Sequence, residues 1–134
     1  MKKRLVIFGI MIIVFGLGYV LGYFSPSFLL DYALRGDISG EEELRVIILQ
    51  TDNEPVANLE IDVAKKPGTP PRGGVEFINE EGVATFFIQP GVYTIYFNMH
   101  NFPKELKYPE TGSAGKIKVL QGMVNEQKIV LQSK

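Results

Sequence analysis

The sequence predicts an all-β fold, a sandwich of two antiparallel sheets made from seven short strands, set behind a single transmembrane α-helix. Three observations carry this. Residues 5–24 form an apolar block without one charge. From Leu44 onward apolar residues recur with a period of two, and turn-forming residues interrupt that alternation every few positions.

Taken in order, residues 1–4 are a basic cap in which Lys2, Lys3 and Arg4 precede the block Leu5 to Phe24. Twenty residues at roughly 1.5 Å each match a hydrocarbon core of about 30 Å. After the block, residues 25–43 hold a single Arg against Asp31, Asp37, Glu41, Glu42 and Glu43. The positive-inside rule therefore keeps the N-terminus in the cytoplasm and exports the rest, giving a single-pass cell-membrane protein with its C-terminal domain outside. The alternative is a signal peptide cleaved after Gly18, since Gly16-Leu17-Gly18 offers small residues at the right spacing. Gly18 and Gly22 also make a small-xxx-small pair on one helix face, which suits helix-helix packing. The plainer reading is that glycine is common in membrane helices.

Residues 25–43 read as a juxtamembrane segment and acidic linker. Ser25 can cap, Pro26 suits a first helical position and Gly36 a stop, so a short interfacial helix or an irregular spacer fits. Asp37 to Glu43 reads as solvated linker, because adjacent acids repel one another and bury nothing. The domain is then expected over residues 44–134. Its strands are predicted at about Leu44 to Thr51, Leu59 to Lys65, Val75 to Ile78, Val83 to Gln89, Val92 to Met99, Lys116 to Gln121 and Gln127 to Gln132. Leu59, Ile61 and Val63 alternate with Glu60 and Asp62, the pattern of a sheet with one buried and one wet face. Turns are expected at Asp52 to Pro55, Pro67-Gly68, Gly73-Gly74, Asn79 to Gly82, Pro90-Gly91 and Gly122, with Gly91 supplying a positive φ.

Glu54-Pro55-Val56-Ala57-Asn58-Leu59-Glu60-Ile61, Asn79-Glu80-Glu81-Gly82-Val83-Ala84-Thr85-Phe86 and Gln89-Pro90-Gly91-Val92-Tyr93-Thr94-Ile95 occur in series, followed by Ile117-x-Val119 and Ile129-x-Leu131. In order and spacing they resemble the carboxypeptidase regulatory-like, or transthyretin-like (prealbumin-like), β-sandwich domains. Glu54 stands where that family usually has glycine. The resemblance implies a seven-stranded Greek-key sandwich serving as a non-catalytic accessory, adhesive or spacer module. A related set of surface sandwiches carries a Lys–Asn isopeptide bond between first and last strands. Here the first strand has Arg45 and no Lys, and the last, read as Gln127 to Gln132, has no Asn, so no such crosslink is expected.

Chemistry is sparse. Beyond residue 24 there are 11 Lys and Arg against 15 Asp and Glu, which argues against nucleic acid as a partner. With no cysteine, thiol catalysis and Cys-ligated zinc are excluded. His100 has no second His or Cys to share a metal, and no Ser sits in a strand-to-helix elbow to use it as a base. Asp52, Glu54, Glu80 and Glu81 lack the dense spacing of a Ca²⁺ loop and read as solvated turns. No catalytic residue, metal site or cofactor is assigned, and the chain is not expected to be an enzyme.

The longest predicted loop, Asn98 to Gly115, is the most informative. A hairpin needs only two to five residues, so this length serves something else. The candidate contact surface is His100, Asn101, Phe102 and Tyr108 with Asn53 and Glu54 from a loop expected at the same end. The competing reading is that Phe102 and Tyr108 fold back to plug the open end of the sandwich. The expected function is a protein-interaction or scaffold subunit of an envelope assembly, anchored in the bilayer through residues 5–24. The alternative is a carbohydrate-binding or adhesive module, in which Tyr93, Phe102 or Tyr108 would stack on sugar rings.

Overall fold

The computed structural model describes residues 35–134. The basic cap, the apolar block with Gly18 and Gly22, the cleavage point after Gly18 and the juxtamembrane segment through residue 34 lie outside the described residues. Within them seven strands succeed one another: β1 Ser39–Gln50, β2 Glu60–Ala64, β3 Val75–Phe77, β4 Val83–Ile88, β5 Gly91–Phe97, β6 Ser113–Val119 and β7 Asn125–Leu131. No helix occurs among them. The strands form a three-stranded sheet ordered β4-β1-β7 and a four-stranded sheet ordered β3-β2-β5-β6.

The alternation seen in the sequence is what buries the core. Leu44, Val46 and Ile48 of β1 have no exposed surface, as is true of Ile61 and Val63 of β2. With Phe86 and Ile88 of β4, Tyr93, Ile95 and Phe97 of β5, Val119 of β6 and Leu131 of β7, they belong to one cluster drawn from both sheets. Two sheets sharing one core is the layer arrangement of a β-sandwich. Each such large side chain contributes about 1.5–3 kcal/mol by leaving water.

Three expectations are corrected. Residues 39–43, read as linker, are the first part of β1: Glu43 pairs with Phe87, and both Ser39 and Glu42 register with Ile88 at a bulge. A strand needs a partner backbone rather than apolar side chains, and here Glu41 and Glu43 face solvent while buried Ile38 fixes the start. Gly40 permits the approach, since a Cβ there would fall 2.5 Å from Gln89 N. Second, the sheets are not wholly antiparallel, because β1 and β7 pair in parallel from Leu44–Asn125 to Gln50–Leu131. Seven strands that alternate in direction leave the first and last running the same way, so placing them side by side makes that pair parallel. Third, Gly91 does not have positive φ. It begins β5 opposite Val119, whereas Gly82 does turn with φ 79°.

The alternation also sorts the loops. The upper end holds Thr51–Asn58, residues 78–82 and residues 98–112, tied together by hydrogen bonds from Asn58 N to Ile78 O and from Asn98 N to Glu60 O. At the lower end the chain enters at Arg35. Ile38 N donates to Arg72 O there, Gln89 N donates to Ile38 O, and Gly122 N donates to the Glu42 carboxylate.

Candidate functional site

The upper end is closed by its longest loop. Phe102 packs edge-on against Phe97 at 5.5 Å and against Tyr108 at 4.9 Å. Edge-to-face pairs of this kind contribute about 0.5–1.5 kcal/mol beyond area burial. The Tyr108 hydroxyl donates to Phe97 O at 3.1 Å, and Leu106 of the same loop is buried in the core. The loop is also stitched to the end of the chain, with Lys107 N donating to Gln132 O and Lys134 N to Glu105 O, an antiparallel continuation around Leu106 and Ser133. Both rings thus cover the core rather than standing free.

The other candidate residues are more open. His100 is exposed, and its N–H donates to the Asn98 side chain. Asn53 and Glu54 are exposed on a tight turn in which Asn53 has φ 69°, Glu54 N donates to the Asp52 carboxylate and Gln50 N to Glu54 O. Asn101 joins the loops, its amide donating to Asn58 O at 3.1 Å, while its Oδ1 is buried without a partner. Between residues 107–111 and Val130, Leu131 and Gln132 runs a shallow open groove of about 380 Å³. Val130 stands half exposed within it.

Of the three rings named for sugar stacking, Tyr93 is buried and donates its hydroxyl to Gln89 O at 2.7 Å, its own acidity weakened by that burial. Phe102 and Tyr108 are engaged with each other. No row of open rings results. Among the described residues no group of three or more His, Asp or Glu is placed to hold a metal ion.

Sequence reasoning missed two polar residues. β7 begins at Asn125, so the last strand does carry an asparagine, which the boundary at Gln127 had left out. Asn125 is buried and fully engaged: its Oδ1 accepts from Leu120 N, and its amide donates to Glu43 O, Leu120 O and Met123 O. β1, for its part, contains no lysine. The signal available was an Asn closing a Gly-containing turn, where such side chains bond nearby backbone.

The second is Asp62, whose register partners are Val75 on β3 and Tyr96 on β5. Its Oδ1 is buried without a hydrogen bond. Burial first, and the neighbouring Glu60 second, push its carboxyl up from 3.8 to about 6. A carboxyl raised on folding binds its proton more tightly in the folded state, so the contribution of Asp62 to stability is greatest below about pH 4 and is lost as pH rises through about 6. A shift of this size corresponds to at most about 3 kcal/mol, which solvent screening of a half-buried group reduces to about 1. Asp62→Asn is expected to raise stability at pH 7 by that amount and to flatten this part of the profile, as thermal melts across pH 4–7 would read.

No protein-family model matches the sequence, and no curated protein matches it. Among solved structures the chain is similar to GBS52, the minor pilin of Streptococcus agalactiae, at 13% identity and TM-score 0.56, covering 72% of this chain and 46% of that one. It is also similar to the group B streptococcus pilus 2b backbone protein, at 8% identity and TM-score 0.54, covering 69% of this chain and 41% of that one. This chain is matched to less than half the length of either pilin. At such identity the likeness is one of fold: a β-rich arrangement over 72% and 69% of this chain is shared with these two pilus proteins.

Proposed function

We propose that this protein is a non-enzymatic subunit of an envelope assembly: a carboxypeptidase regulatory-like, Greek-key sandwich held at the cell membrane by residues 5–24, displayed outside the cytoplasm, and acting through protein contacts. The observation that carries this reading is the fold shared with a minor pilin and a pilus backbone protein, which are components of surface assemblies. The uncharged block behind a basic cap supports anchoring and export. An upper end closed by its own packed loop supports contact by shape rather than by chemistry. The groove beside Val130, with exposed Lys107 and Glu110 on its rim, is the surface offered to a partner. Carbohydrate binding is the weaker reading, since the rings it would use are engaged in packing.

The test is photo-crosslinking in intact cells, with the reactive residue at exposed Lys107 and a control at exposed Glu76 on β3. A discrete protein adduct from position 107 alone is expected. A glycan adduct, or no adduct at either position, would overturn the scaffold reading.

A further inference from the structure

We propose that the lower end of the two-sheet unit rests on a lipid surface, with the β6–β7 turn set into the interfacial zone. Among the described residues nine large apolar side chains stand exposed; three of them, Leu120, Met123 and Val124, lie together on the β6–β7 turn, while Phe87 and Val92 are near the same end on the outer faces of opposite sheets. Met123 and Val124, adjacent on the turn, are 59% and 87% exposed. Single exposed apolar residues are ordinary, but a group at one end of a small domain marks a contact surface.

The fold holds these side chains outward. Asn125 bonds the backbone of Leu120 and Met123, and Gly122 N is fixed to Glu42 of β1. With its backbone tied in this way, the turn keeps Met123 and Val124 in solvent. A fixed apolar tip on an end that also carries basic residues, here Lys65 and Lys66 after β2, is a composition that seats a protein in a headgroup layer. Asp37, Glu41, Glu42 and Glu43 share this end and offset the two lysines, so apolar insertion is the driving term.

The occupant follows from where the chain enters. Arg35 lies at this same end, separated from Phe24 by ten residues, a span of at most roughly 40 Å even when extended. This inference rests on the reading that residues 5–24 lie in a bilayer. On that reading the apolar end is the one tethered near the membrane, and the closed upper end is free for a partner.

The absence of cysteine from the chain makes the test clean. The full chain, with a single Cys at Val124 carrying an environment-sensitive dye, is reconstituted into phosphatidylcholine–phosphatidylglycerol vesicles, with a Cys at exposed Met99 as the control. The chain should float with the vesicles. The dye at 124 should shift to the blue, be quenched by nitroxides borne on lipid headgroups and lose its quenching by aqueous iodide, while the dye at 99 shows none of these. A dye at Leu120 should revert to aqueous emission when Met123→Glu is added, with flotation unchanged. Flotation with indistinguishable dyes would overturn the docking and leave the anchor standing. Failure to float would overturn both. A blue shift without lipid quenching would mean that protein covers this end, and would also overturn the docking.

Discussion

Gly82→Val is expected to destabilise the sandwich by at least about 3 kcal/mol, lowering its melting temperature by roughly 10–20 °C. Two independent costs combine. Gly82 has φ 79°, a conformation that β-branched residues avoid. A Cβ there would also lie 2.7 Å from Ile48 O and 2.9 Å from the Pro55 side chain. Ile48 cannot retreat, because its own N–H donates to Gly82 O. Since the first side-chain carbon makes the clash, Gly82→Ala should be nearly as damaging. Gly91→Ala is the contrasting control: its φ is not positive, and the nearest atoms to its Cβ would be those of the Tyr93 side chain, at 3.3 Å. Thermal melts that place Gly82→Val and Gly91→Ala close together would contradict this account of the β3–β4 turn.

Asn125→Leu is the second large effect, expected at about 3 kcal/mol. Leucine fills a similar volume, so the loss is one of hydrogen bonding. Leu120 N and three carbonyls, of Glu43, Leu120 and Met123, lose their side-chain partner together. Leaving a buried backbone group unpaired costs about 1–3 kcal/mol, and water reaches only part of this turn. The damage should be local as well as global. Amide exchange at Leu120 and Gly122 should quicken more than at Ile95, in the middle of the other sheet. Uniform exchange across the domain would mean that Asn125 does not organise the turn.

The strands were legible in the sequence because each inward face repeats every second residue and Gly, Pro and Asn mark the gaps. What was hidden depended on partners distant in sequence. Residues 39–43 look like linker because their acids face water, and only the backbone of Phe87 and Ile88 makes them a strand. The raised carboxyl of Asp62 comes mainly from burial on β2, which lies between β3 and β5, with nearby Glu60 adding to it. At the upper end, the length of the loop announced a task, and aromatic composition suited either contact or closure. The packing of Phe102 between Phe97 and Tyr108 is what made it closure. Asn125 escaped notice through a boundary only two residues out, enough to leave a buried polar side chain outside the strand that holds it.

Export of the folded domain is the premise on which the scaffold and lipid-docking readings both stand, and single-cysteine labelling tests it most directly. One cysteine is placed at Lys3, at exposed Asn53 or at exposed Met99, and intact cells are treated with a membrane-impermeant maleimide before and after lysis. The account predicts labelling at 53 and 99 in intact cells, and at position 3 only after lysis. Protection of 53 and 99 until lysis would place the domain in the cytoplasm and contradict it.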